Sequence, residues 1–177
     1  LVASSCGGLD ARLTAELAAP AVERGWRLAV TLTPTAARWL HETGGLAELQ
    51  ALTDLDVRSV SRLPGEPRPH PDPEVFLFAP ASANSVAKLA LGIADNQALT
   101  VLGDMLGSPS ATVVVGYQVA DTRFRHPAWQ GHLDALASAG VRSHRLGECW
   151  TDVLDLLPTV DSDCAGGSRV PGTSYTQ

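Results

Sequence analysis

The chain holds a single lysine, Lys88. Lysine and arginine together number 13 against 19 acidic residues, and the net charge is −6. That balance excludes a general binder of the phosphate backbone, so nucleic acid is not an expected partner. Cysteine is just as scarce. Cys6, Cys149 and Cys164 show no metal-ligand spacing, and no metal site is expected. A sparse, odd set fits a reducing cytoplasm better than a disulfide scaffold. No apolar run approaches the roughly 20 residues a membrane helix needs, so no membrane role is expected. No secretory signal pattern opens the sequence, and a few residues are expected upstream of Leu1. No internal repeat is present. No Gly-x-Gly-x-x-Gly fingerprint with a downstream acidic ribose ligand marks a dinucleotide site.

What the sequence does contain is alternation. Apolar runs at 1–3, 26–32, 57–60, 75–79, 111–115 and from Val141 read as strands, and helical patterns separate most of them. The expected fold is a doubly wound α/β domain with a parallel sheet of about six strands, binding its ligand at the carboxyl edge. Its length suits one domain. The domain is expected over residues 1–160, with a polar tail over 161–177. Val75 to Ala79 is unbroken and ends at Pro80, as in a strand buried on both faces. Small residues follow, and Ser82, Asn84 or Ser85 can cap a helix beginning near Val86. The result is a helix N-terminus at the sheet's carboxyl edge, where an anion or polar ring atoms are favoured.

Two further joints have the same form. Ser4-Ser5-Cys6-Gly7-Gly8 links the first strand to a helix over 10–23, with Gly7 and Gly8 able to bring backbone N–H groups close to an anion. A tight turn explains the same glycines. Thr33 and Thr35 follow the second strand, and Thr33 can cap the next helix while contacting a ligand. Between Arg62 and Pro73 five prolines forbid a helix interior or a central strand, leaving a loop.

The run P-A-S-A-N-S over 80–85, followed by Ala87-Lys88, Gly92 and Asp95-Asn96, resembles the PASANT motif of the homo-oligomeric flavin-containing cysteine decarboxylases. That family includes peptidyl-cysteine decarboxylases and phosphopantothenoylcysteine decarboxylase. Ser85 stands where the family usually has Thr. The resemblance extends more weakly over residues 1–141. It implies a Rossmann-like or flavodoxin-like three-layer sandwich that binds FMN, with Ser82, Ala83, Asn84 and Ser85 beside the flavin ring. It implies phosphate contacts at Gly7, Gly8, Thr33 and Thr35, although Gly8 replaces the family's serine. It also implies a trimer or dodecamer whose flavin site is completed by a neighbouring subunit.

Departures from the family matter as much. The family's catalytic histidine sits on a helix about four residues further from the motif than His70, the nearest candidate, and four residues are about one helical turn. Where the family has P-A-M-N, this chain has Tyr117-Gln118-Val119-Ala120, and Ala120 cannot hold a substrate carboxylate. Gln118 or Arg123 can replace it, Arg123 as the stronger partner. Cys149 lacks the family's A-C-G-D surroundings and reads as structural. Two functions follow. One is FMN-dependent oxidative decarboxylation of a peptide's C-terminal cysteine, or of a small cysteine-containing substrate, with His70 as base. The other is an FMN-binding protein that has lost this chemistry and serves as a partner or structural subunit. The related flavin prenyltransferases would need a strongly basic patch near the flavin, and the sequence has none.

Overall fold

The computed structural model describes residues 1–160. The expected tail over 161–177, with Cys164, lies outside the described residues. Five strands run parallel in the order β2-β1-β3-β4-β5. They are β1 (Val2–Ala3), β2 (Thr31–Leu32), β3 (Val75–Ser82), β4 (Thr112–Gln118) and β5 (Arg142–Arg145). Among the described residues the sheet has five strands, not six. The segment at 57–60 contributes one isolated bridge, Thr31 with Arg58, because its second apolar residue, Val60, turns to solvent. Pairing within the run at 26–32 is confined to Thr31 and Leu32, although Leu28 and Val30 are buried.

Side chains alternate across a strand, so the sheet divides the core in two. Leu77, Ala79 and Val114 face one layer, with Leu9, Leu13, Leu17, Leu40, Leu49 and Trp150. Phe76, Phe78, Val113 and Val115 face the other, with Val86, Leu89, Leu99, Leu102, Trp129 and Leu136. The first layer comprises α1 (Leu9–Arg12), its continuation α2 (Ala19–Glu23), α3 (Pro34–Thr43), α4 (Gly45–Ala51) and a 3₁₀ turn (Thr151–Leu156). The second contains α5 (Ala83–Ala90), α6 (Gln97–Leu106) and α8 (Trp129–Ser138), with the short α7 (Asp121–Phe124) above it.

The first helix departs from the regular one expected over 10–23. Between α1 and α2 it opens into a π-helical stretch, Leu13–Ala18. Pro20 supplies the reason. Proline has no N–H to give the carbonyl four residues back, and its ring crowds that carbonyl. The carbonyl is that of Glu16, which instead accepts a hydrogen bond from Thr151 Oγ1 at 2.8 Å. The helix thereby gains a tie to the far end of the chain.

Strand β3 also runs further than its apolar residues. It continues through Pro80 to Ser82, and helix α5 starts at once at Ala83, with no intervening loop. The register against β4 shifts between Phe78 and Ala81, so the missing N–H of Pro80 falls at an irregularity that needs no ladder bond. In this strand order the direction of winding reverses between β1 and β3. Such a switch point opens a crevice outside the carboxyl ends of the strands.

Candidate functional site

The ends of β1 and β3 are tied together at this switch point by one buried side chain. Ser4 is 1% exposed. Its N–H and its hydroxyl both donate to the Pro80 carbonyl, at 2.9 and 3.2 Å. Its Oγ in turn accepts the Ser82 N–H at 2.7 Å. Ser82 then caps α5: its Oγ accepts from the Ser85 N–H at 3.3 Å and donates to Ser85 Oγ at 3.1 Å. Capping consumes one orphan donor of the first turn and leaves the others facing the edge. Ser85 is buried, whereas Asn84 is exposed beside Ala83.

Next to this knot the β1–α1 loop presents bare backbone. Gly7 and Gly8 are exposed, and among the described residues their N–H groups find no protein acceptor. Gly8 has φ +80°, a conformation that favours glycine, and a Cβ there would lie 3.1 Å from Arg12 Cδ. Around Gly7 the space is open. Cys6 is buried in the same loop, and burial pushes its thiol up to about 11, so it stays neutral at ordinary pH. Thr33 is buried and caps α3, its Oγ1 accepting from the Ala36 N–H at 3.4 Å, while Thr35 is exposed on the first turn of that helix.

On the other side of β3, Ser82 pairs with Gln118 at the end of β4. Gln118 Oε1 is buried without a hydrogen-bond partner among the described residues. A buried amide oxygen left without a donor costs about 1–3 kcal/mol, and a ligand N–H or O–H would relieve it. These groups fit a flavin mononucleotide: free amides and hydroxyls for one phosphate, and a capped helix start with an unpaired amide for a polar ring. Beyond β4, Arg123 is exposed on α7 and makes no ion pair among the described residues. Ala120 precedes α7 without a side-chain cap. Cys149 is exposed, against the expectation of a structural role.

His70 is not in this crevice. It borders a hollow of about 250 Å³ with Leu1, Ala29, Val75 and Phe76, residues at the amino ends of the strands. Its Nδ1 lies 2.8 Å from the Pro71 carbonyl oxygen. The length of β3, from Val75 to Ser82, separates it from the crevice, a span of about 23 Å at strand rise. The loop that carries His70 does not fold back to the carboxyl edge. Within one chain the structure brings together Gly7, Gly8, Thr33, Thr35, Ser82, Ala83, Asn84, Ser85 and Gln118 along the carboxyl edge, and leaves His70 out.

The family model described as Flavoprotein matches residues 13–155. The chain belongs to the Flavoprotein family. No curated protein matches it in sequence. Among solved structures it is similar to the FMN-dependent cysteine decarboxylase TvaF from thioviridamide biosynthesis, at 23% identity and TM-score 0.67, over 88% of this chain and 91% of that one. The cypemycin decarboxylase CypD is 19% identical with TM-score 0.65, over 85% and 83%. A dodecameric FMN-dependent UbiX-like decarboxylase from Escherichia coli is 15% identical with TM-score 0.65, over 97% and 98%.

For this flavoprotein, reading along the sequence missed two residues that matter at the edge. Ser4 was read only as part of the loop after the first strand, and only the pairing of β1 with β3 makes it a cross-tie. Arg12 binds Glu16 through two nitrogens, at 2.6 and 2.8 Å, and donates to the Glu148 carbonyl at 2.6 Å. Its guanidinium also lies 4.3 Å above the Trp150 ring. The i,i+4 spacing of Arg12 and Glu16 was visible in the sequence, as was a closing helix over 148–157; the contact between them was not.

Proposed function

We propose that this flavoprotein binds FMN and oxidatively decarboxylates a C-terminal cysteine, of a peptide or of a smaller thiol-containing acid. The observation that carries the proposal is the Ser4–Pro80–Ser82 tie. It sets the P-A-S-A-N-S helix start beside unpaired glycine amides at the β1/β3 switch point. The similarity to structures described as FMN-dependent cysteine decarboxylases supports the same direction.

In this proposal the Gly7 and Gly8 amides, with the Thr33 and Thr35 hydroxyls, hold the phosphate. Ser82, Ala83, Asn84 and Ser85 border the ring, and Gln118 gives its unpaired oxygen to a ring or substrate N–H. FMN, when bound, supplies a two-electron acceptor for hydride. The substrate loses hydride, a proton and carbon dioxide, and becomes an aminoenethiol. Its carboxylate is met by a guanidinium at the α7 corner, the region to which the sequence reading of Arg123 leads. His70 serves as base only if a neighbouring copy delivers it, because β3 keeps it from its own crevice. A working unit is therefore a homo-oligomer, a trimer or a dodecamer, and its setting is the cytoplasm. Over the chain, residues 1–160 form the flavin domain and 161–177 a polar tail.

A second reading is an FMN-binding subunit without decarboxylase chemistry. Ala120 in place of a carboxylate-holding side chain favours it. One experiment separates the two. Purified protein is expected to be yellow with FMN in both. A peptide ending in cysteine loses about 46 mass units, carbon dioxide plus two hydrogens, only in the first. A colourless protein that takes up no FMN would sink both readings.

A further inference from the structure

We propose that Arg145, and not Arg123, is the guanidinium that receives the anionic end of the substrate. The identity of that anion as a carboxylate rests on the decarboxylase proposal; the position of the guanidinium does not. Arg145 is the last residue of β5, at the carboxyl edge, and pairs in register with Tyr117 of β4. It is held from two sides. Its Nη2 donates to Asp121 Oδ1 at 2.6 Å, and its Cζ lies 4.6 Å from the centroid of the Phe124 ring. Phe124 in turn tilts against the buried Trp129, which meets Tyr117 edge to face at 5.3 Å. Among the described residues no other nitrogen of Arg145 has an acceptor. The side chain is 44% exposed, so its remaining donors open to the edge. A guanidinium fixed in orientation loses less freedom on binding an anion than a free one, and keeps the fork that matches a carboxylate. Arg123 has no such fixing.

Charge and side agree with this placement. Arg145 and Arg125 both act on Asp121, in a chain whose net charge is −6. The hydrogen bond from Arg145 holds the Asp121 carboxyl below its ordinary value, so the pair stays ionised through neutral pH. Alternation along β4 sends Gln118 to the α1 layer with Val114, and Tyr117 to the α5 and α8 layer with Val115. Arg145 lies over the second layer, against Tyr117 and Phe124. That is the layer on which Ala83 and Asn84 open α5. Gln118 and Arg145 therefore stand at the carboxyl edge on opposite faces of the sheet. One can meet the ring while the other meets the substrate.

The test uses FMN-loaded protein and a short peptide ending in cysteine, as the free acid and as the C-terminal amide. Binding is read from the change in the flavin absorption band, and turnover separately by mass. The unmodified protein is expected to bind the acid at least about 10-fold more tightly than the amide, as one charge-assisted contact warrants. Arg145→Gln should bring that preference to within about 2-fold while retaining FMN, and Arg123→Gln should keep it. If Arg145→Gln loses FMN or fails to fold, Arg145→Lys decides. It keeps the charge without the fork, and the preference should fall by about 3-fold or more. An undiminished preference in Arg145→Gln or Arg145→Lys overturns the proposal, as does the absence of any preference in the unmodified protein. A preference that depends on Arg145 without any turnover supports it and sinks the decarboxylase reading instead.

Discussion

The two edges of the sheet are built from different material. At the amino edge Trp26, Leu28, Val75 and Phe76 line a hollow with His70 on its rim. At the carboxyl edge the parts are small: Ser4, Gly7, Gly8, Thr33, Ser82 and Ser85. The first region has volume and a histidine, the usual marks of a site. The second has aligned strand ends, helix starts and donors left over. In a parallel sheet every connecting helix begins at the carboxyl edge, so orphan N–H groups collect there whatever the side chains are. The hollow at the other edge is mostly apolar, and the Arg27 on its wall is already paired with Asp54. Polar valence left unmet marks the candidate site better than empty space does.

The sharpest way to break the comparison is to push the sheet apart between its edges. A Cβ at Gly116 would lie 2.9 Å from Ala79 Cβ, 3.0 Å from Leu146 Cδ2 and 3.1 Å from Val153 Cγ2. Gly116→Val should cost about 3 kcal/mol, the upper end of ordinary overpacking, and lower the urea midpoint with an unchanged slope. Both edges should suffer together. Ser4→Ala should separate them. It leaves the half-buried Ser82 N–H without its acceptor, at about 1–2 kcal/mol. FMN retention should fall with it, while the amino-edge packing stays as it is. Equal FMN retention in Ser4→Ala and the unmodified protein would remove the knot from the site.

Legibility in the sequence follows the same division. The carboxyl edge could be read because each element there is local. A buried run, a serine and a helix lie within a dozen residues, and the glycine loop is contiguous. Strand–helix alternation likewise foretold the parallel sheet. The amino edge could not be read, because the position of His70 depends on where a proline-rich loop crosses the end of β3. No periodicity encodes that crossing. Ser4 and Arg145 escaped for a third reason: each acts across strands that are distant in sequence. The π-helical stretch was within reach, since Pro20 stood inside the expected helix.

Glu16 offers a smaller, pH-dependent effect. The hydrogen bonds from Arg12, together with that from the Trp150 N–H, hold its carboxyl below the ordinary 4.5. A carboxyl lowered by folding stabilises above its unfolded value and loses that contribution as pH falls through the folded one. Glu16→Gln should therefore cost about 1 kcal/mol near neutral pH. The deficit should shrink in denaturation curves taken progressively below pH 4.5, the carboxyl's ordinary value. A deficit constant down to strongly acid pH would mean that packing against Trp150, and not charge, is what the residue contributes.

His70 should show the smallest effect on the protein itself and the most informative one on catalysis. It lies on a half-buried stretch of loop, so His70→Asn should change stability by no more than about 0.5 kcal/mol and leave FMN retention unchanged. If His70 is the base, turnover should nevertheless vanish, because its ring can reach a flavin only in a neighbouring copy. Mixing subunits tests that directly. Gly8→Val should lose FMN, since Gly8 has φ +80° and its added side chain meets Arg12. Neither variant should turn over alone. In a mixed assembly an intact crevice on one subunit can meet an intact His70 on the next, and part of the activity should return. No recovery in mixtures shown to contain both subunits would exclude His70 as a base acting across the interface. Full activity in His70→Asn alone would remove it from the chemistry, and the amino edge would keep only its packing role.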